Sequence, residues 1–260
     1  MEDPQHEPTI LFVHGAGSNA DFWHWQRSAF PHAHYPDLPR HGRHPEKTAP
    51  LAPTGPQLIE VYADWLANYI EEAGLEDVIV NGHSMGGAVA LALALRHPVW
   101  LRGIVLTGSG AYLHVSTDLL HLLRTNYAAA VDAIIETSFA PPNGPLSYIQ
   151  KARLNGTRRQ LLRTPQEVTL ADYEAANSFD VRERLGEIDV PALCIVGGQD
   201  AVTPPAYSEY MHRAIRGSQL RVVEGAGHML PLERPEEYNS ILAAFVEGLS
   251  VAGQRDGGGT

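Results

Sequence analysis

A chain of 260 residues, 44% of them hydrophobic and 19% charged, is long enough for one large core with an inserted subdomain, and its composition argues against a disordered chain. A formal net charge of −11 repels phosphate backbones and anionic headgroups, which argues against nucleic acid or a membrane as partner. The single cysteine, Cys194, excludes an intrachain disulfide and suits a reducing compartment. Residues Met1 to His6 carry no basic or apolar leader, and no apolar run reaches the roughly 20 residues of a membrane span, so the expectation is a cytoplasmic protein.

In chain order, Ile10-Leu11-Phe12-Val13 is an apolar run that passes into His14-Gly15-Ala16-Gly17. Val78-Ile79-Val80 passes in the same way into Asn81-Gly82-His83-Ser84, and Leu193-Cys194-Ile195-Val196 into Gly197-Gly198-Gln199-Asp200. Short apolar runs ended by glycine read as buried parallel strands. Gly103 to Thr107 and Leu220 to Val223 are two further strands. Helical patterns lie between them at Gln57 to Ala73, Met85 to Arg96, Pro205 to Ile215 and Pro235 to Leu249. This alternation predicts a parallel sheet with helices on both faces.

From about Gly110 to Leu185 the alternation stops. Helical pieces fall at Asp118 to Arg124, Ala128 to Thr137, Ser147 to Leu154 and Asp172 to Ala176, with a Pro-rich loop at Pro141 to Pro145. The expected organisation is a core of residues 1–110 and 186–250, a helical cap insertion at 111–185 and a disordered tail at 251–260.

The strongest chemical signal is Gly82-His83-Ser84-Met85-Gly86 between a strand and a helix. A sharp strand-to-helix turn lifts the serine Oγ clear of the sheet, and the glycines are needed because a Cβ there would collide with neighbouring backbone. Serine needs a base. Of the 13 histidines, His228 is best placed, in Gly225-Ala226-Gly227-His228 after the last strand, and Asp200 closes the strand before it. Amides at Ala16 and Met85 are the candidate oxyanion donors, with Gly17 as the alternative to Ala16. Phe22, Trp23, His24 and Trp25 follow the oxyanion loop and could wall the pocket, with at least two of them expected in the core. Trp23, Tyr112, Phe139 and Met229 are the candidate walls of the substrate pocket. His14 reads as structural, and Cys194 as a small core residue.

These motifs, with Asp37-Leu38-Pro39-Arg40-His41-Gly42, resemble the α/β-hydrolase superfamily from Thr9 to about Ser250, in particular its small bacterial esterase and lipase-like members with a helical cap. The chain order Ser84, Asp200, His228 is the one that superfamily uses. The resemblance implies an α/β-hydrolase fold, a serine nucleophile, no cofactor and no metal. Two departures stand out. About eight residues precede the first strand, too few for the usual N-terminal hairpin, so the resemblance implies a mostly parallel sheet of about six strands. Arg40 occupies a turn position where glycine is usual, with its side chain expected in solvent.

The leading expectation is a carboxylesterase for small to medium esters, acting as a monomer or homodimer on a small molecule. A lactonase or carbon–carbon bond hydrolase shares the same three residues, although Ser18-Asn19-Ala20 after Gly17 differs from the Gly-Pro-Gly continuation frequent in the carbon–carbon enzymes. An aspartate-nucleophile enzyme is disfavoured by Ser84. A non-catalytic binder on the same scaffold is a further alternative. The histidines His32, His34, His41 and His44 invite a metal reading, but their spacing around Asp37 does not match a zinc motif, and the resemblance makes His32 to Asp37 a strand with its loop.

Overall fold

The computed structural model describes residues 8–44, 55, 57–142 and 144–256, with side chains described through residue 250. The readings made for Met1 to His6, for Asn143 and for Gly257 to Thr260 lie outside the described residues. Five strands, β1 (Thr9–Val13), β2 (Val78–His83), β3 (Leu101–Thr107), β4 (Ala192–Gly197) and β5 (Gln219–Val223), form one parallel sheet in the order β1-β2-β3-β4-β5.

About six strands were expected. The sixth is reduced to a single parallel bridge between Leu11 and His34, closed by Phe12 N–H to His34 O and His34 N–H to Ile10 O, both 2.8 Å. Pro31 and Pro36 flank this segment and supply no amide donors, so the ladder stops after one residue pair.

The helices are α1 (Gln26–Ala29), α2 (Gln57–Glu72), α3 (Met85–Ala94), α4 (Thr117–Thr125), α5 (Tyr127–Ser138), α6 (Tyr148–Leu161), α7 (Gln166–Ser178), α8 (Pro205–Ala214), α9 (Leu230–Glu233) and α10 (Pro235–Asp256). One sheet face is covered by α2, α3 and α8. Leu58, Ile59, Tyr62, Ala63, Leu66 and Ile70 of α2 repeat at helical spacing, and every residue of α3 is buried. The other face buries Phe12, Ile79, Val105 and Ile195 against Tyr238, Leu242 and Phe245 of α10. Complete burial of each such side chain contributes about 1.5–3 kcal/mol. Helix α10 runs on to Asp256, through part of the stretch read as a tail.

Helices α4 to α7 occupy the stretch between β3 and β4. They share a small core of their own, Leu120, Leu123, Ala130, Val131, Ile134 and Leu161. Helix α7 also reaches the main core through Ala171, Ala175 and Ala176, so this layer is seated on the sheet's upper edge and is not an appendage. No helix of the described residues is long and apolar enough to cross a membrane.

Candidate active site

Ser84 stands at the carboxyl end of β2 with φ 54° and ψ −119°, a conformation L-residues rarely adopt. The turn is fastened on both sides: Ser84 N–H donates to Thr107 O at 2.9 Å, and Ser84 O accepts from Ser109 Oγ at 2.8 Å and Gly87 N–H at 2.9 Å. A Cβ on Gly82 would lie 2.1 Å from Gly86 O, and one on Gly86 2.4 Å from Val13 O. Helix α3 therefore starts against backbone on two sides, and only glycine at those positions lets the chain turn there.

Asp200 is buried and accepts four hydrogen bonds: from Val202 N–H at 2.9 Å, Thr203 N–H at 2.8 Å, Thr203 Oγ at 2.9 Å and His228 Nδ1 at 2.9 Å. Burial alone would raise its pKa, but the His228 ring and the Thr203 donors override it and hold the carboxyl below its ordinary value. With Nδ1–H given to the carboxylate, the neutral His228 ring carries its lone pair on Nε2. His228 and Ser84 line the same small cavity, about 80 Å³, together with Gly15, Ala16, Phe22, Leu119, Leu161, Tyr173 and Met229.

The His228 loop is held from three directions. Glu233 accepts from Gly227 N–H at 3.0 Å and from Ala140 N–H at 2.9 Å. Met229 N–H donates to Ser138 O at 3.1 Å, and His83 Nε2–H to His228 O at 2.9 Å. Burial raises the Glu233 pKa, opposed by its two amide donors. Burial, reinforced by the neighbouring His228 ring, pushes His83 down to about 3. Neither residue was singled out in the sequence: Glu233 sits in an acidic helix end, and His83 is the unspecified residue before the serine.

On the other side of Ser84, Ala16 N–H has no protein acceptor among the described residues. Met85 opens α3, where the first amides have no partner inside the helix. Gly17 N–H, the alternative donor, is taken: it donates to Asp172 Oδ2 on α7 at 2.8 Å. His14 Nδ1–H donates to Gly15 O, and its Nε2 accepts Leu38 N–H at 3.1 Å. Burial, with the nearby His41 charge, lowers its pKa to about 4.

Of the four proposed pocket walls, Met229 is on the cavity and three are elsewhere. Trp23 is fully buried between Phe12 and Phe22, ring centroids 4.9 and 4.8 Å away, because the short turn Ala20–Trp23 points Phe22 to the cavity and Trp23 to the core. Tyr112 is pinned by an antiparallel bridge to Asp180 and lies under the Arg182 guanidinium, 4.7 Å from its ring. Phe139 leaves α5 in extended conformation and lines a separate groove of about 530 Å³ with Glu233 and Arg153, while Thr137 and Ser138 face the cavity.

Arg40 also departs from expectation. Its side chain is only 12% exposed and reaches Glu167 of α7 at 3.5 Å, and its φ is 70°. The left-handed turn that glycine usually fills directs this side chain onto α7, not into solvent. The clustered histidines go to different partners: His34 hydrogen-bonds Tyr69, His41 pairs with Asp172, and His44 packs against Trp65.

The profile of the alpha/beta hydrolase family matches residues 10–241. A pimeloyl-[acyl-carrier protein] methyl ester esterase of Neisseria meningitidis serogroup A is 33% identical, over 92% of this chain and 77% of that protein. Among solved structures, a thermophilic esterase superposes with a TM-score of 0.79 at 31% identity, over 94% of this chain and 91% of that one. The enol-lactonase of Burkholderia xenovorans does so with a TM-score of 0.79 at 25% identity, over 93% and 92%. The chain belongs to the alpha/beta hydrolase family, and the protein is a hydrolase of that family.

Proposed function

We propose that the protein is a serine carboxylesterase that hydrolyses small esters through an acyl-enzyme. Ser84 Oγ attacks the ester carbonyl carbon as its proton passes to His228 Nε2. Asp200 fixes the His228 tautomer and stabilises the imidazolium. The Ala16 and Met85 amides receive the oxyanion, and the proton returns to the departing alkoxide as the C–O bond breaks. Water, deprotonated by His228, then adds to the acyl-enzyme and releases the acid. The observation that carries this reading is the 2.9 Å His228–Asp200 hydrogen bond, with no acceptor or donor at the other ring nitrogen among the described residues and the ring on the same cavity as a strained serine. Residues 111–185 act as its cap, and the buried lone Cys194 is in keeping with work in the cytoplasm. Purified protein is expected to hydrolyse short p-nitrophenyl esters and to be labelled by a fluorophosphonate. Ser84→Ala should abolish both; retained turnover in that variant would overturn the assignment. Lactones suit the same chemistry, and a parallel series of ring sizes ranks the two.

A carrier-linked ester is a second reading, favoured by one surface. Helix α6 contains Lys151, Arg153, Arg158 and Arg159 and no carboxylate, on a chain of net charge −11. Exposed Trp25, Tyr148 and Ile149 share a groove of about 510 Å³ with Arg159 and Arg163. Basic residues around exposed aromatics suit an acidic carrier domain. If a carrier brings the ester, Arg159→Glu with Arg163→Glu should raise KM for an acyl-carrier-linked methyl ester tenfold or more and leave p-nitrophenyl acetate unaffected. Equal KM values would remove this reading.

A further inference from the structure

Asp172 is wholly buried, yet nothing in a helix seated on an apolar core requires a carboxylate there. Three donors from distant parts of the chain converge on it: Gly17 N–H at 2.8 Å, His41 Nε2 at 2.8 Å and Tyr62 O–H at 2.7 Å. The Oδ2 atom takes both Gly17 and His41, and Oδ1 takes Tyr62. A buried carboxylate is tolerated only when it is paired and fully hydrogen-bonded, and here it is.

His41 has an acceptor at each nitrogen. Nδ1 lies 2.9 Å from Pro39 O, which can only accept, and Nε2 faces the carboxylate. Both nitrogens therefore carry protons, and the pair is an imidazolium–carboxylate ion pair inside the protein. Burial alone would lower the His41 pKa; the Asp172 charge and hydrogen bond override it and raise it above its ordinary value. The other groups facing this ring are Tyr62 of α2, the His14 ring at 4.8 Å and Asp37.

The consequence falls on the loop after β1. Gly17 has φ 64°, and a Cβ there would sit 2.7 Å from Thr169 Cγ2, so α7 is pressed directly against this residue. Thr169, Asp172 and Tyr173 share one face of α7 by their i, i+3 and i+4 spacing. Thr169 backs Gly17, Asp172 holds its amide, and Tyr173 lines the cavity beside Ser84. With the Gly17 amide turned onto Asp172, the amide left for an oxyanion is that of Ala16.

We propose that Asp172 is a positioning residue for ester hydrolysis: from the helical insertion it fixes the Gly17 peptide, presents Ala16 N–H to the oxyanion, and makes this geometry depend on its ion pair with His41. This rests on the reading of Ser84 as nucleophile with Ala16 as an oxyanion donor. The insertion, on this account, completes the machinery of bond breaking as well as walling the pocket.

The test compares wild type, Asp172→Ala, Asp172→Asn and Ser84→Ala, each normalised to folded protein by thermal melting. Asp172→Ala should lose kcat by about 10²-fold, the scale of one oxyanion donor, with KM within about twofold. Affinity for a trifluoromethyl ketone, whose adduct carries an oxyanion, should fall in step with kcat. Asp172→Asn keeps the shape and one acceptor and should recover part of kcat. Without the counter-charge, however, its His41 loses the second proton at lower pH, so the alkaline fall of kcat begins at lower pH than in wild type. That shift serves as the test if Asp172→Ala does not fold. Wild-type kcat and ketone affinity in Asp172→Ala, or an unmoved alkaline limb in Asp172→Asn, would overturn the proposal. Activity retained by Ser84→Ala would instead overturn the serine-esterase reading beneath it.

Discussion

His83 donates its Nε2 proton to the carbonyl oxygen of His228 at 2.9 Å, so the residue before the serine holds the backbone of the histidine that shares its cavity. The two rings lie 4.7 Å apart, and Phe22 stacks on His83 at 4.5 Å. The elbow and the His228 loop, 145 residues apart in sequence, are thereby fastened to each other.

Acid sensitivity follows from the same residue. Folded His83 is held neutral down to about pH 3 by burial, whereas the unfolded chain protonates near the ordinary 6.5. Between those values the unfolded state binds the extra proton, so stability rises with pH, by about 1.4 kcal/mol per unit for one such histidine. His14, held down to about 4, adds to the slope over its upper part. Urea unfolding from pH 4 to 6 should show this slope, which levels off above about 6.5. In His83→Phe it should be shallower by about one histidine's share, on a stability lowered at every pH by about 1–3 kcal/mol for the unpaired His228 carbonyl. An unchanged slope would show that His83 does not titrate this way.

Glycine substitutions should divide by sign. In Gly86→Ala the new Cβ meets Val13 O at 2.4 Å and His14 O at 2.7 Å, both backbone atoms that cannot step aside. We expect a loss above about 4 kcal/mol, or no folded protein. Gly156 in α6 and Gly248 in α10 have nothing within 4 Å of the same position, and Ala there should stabilise by about 0.5–1 kcal/mol each. Thermal melts of the three single variants decide it; a Gly86→Ala protein as stable as wild type would contradict the packing.

Cys194 should be inert while the chain is folded. It lies within β4, fully buried, and burial pushes its thiol up to about 12, leaving almost no thiolate at neutral pH. A disulfide reagent should react with one thiol per chain in denaturant and with essentially none without it. Rapid modification of the native protein would mean that β4 opens.

The parts legible in sequence are those fixed by local chemistry. An apolar run ending in glycine marks a strand edge, and Gly82, Ser84 and Gly86 mark the elbow, because the steric demand lies within five residues. Asp200 and His228 were legible by their place after β4 and β5. Asp172 was not: in sequence it is an acidic residue in a helix, and its partner Gly17 is 155 residues away. Trp23 was preferred as the wall where its neighbour Phe22 lines the cavity, since a short turn with no long apolar periodicity gives no indication of which of two adjacent aromatics enters the core. Arg40 was misread because its left-handed φ, which aims the side chain at α7, has no signature apart from the glycine it replaces.

The cavity sets the remaining prediction, which concerns chain length. At about 80 Å³ it is well below the roughly 300–1,000 Å³ of typical ligand pockets, and its far wall is apolar, with Leu119, Ile134 and Leu161 from the helical layer. An acyl group of a few carbons fills it, and a longer one must displace side chains. Leu119 is the wall residue to cut, because it is half-buried, whereas Leu161 also belongs to the helical layer's small core. In Leu119→Ala the p-nitrophenyl ester profile should move to longer acyl chains. Each newly accommodated methylene is worth about 0.8 kcal/mol, roughly fourfold in kcat/KM, while acetate loses several-fold for want of a wall. The comparison is a series from acetate to octanoate on both proteins. A wild-type optimum at octanoate, or identical profiles, would mean that the acyl chain leaves Ser84 by another route, with the groove beside Phe139 and Arg153 the next place to substitute.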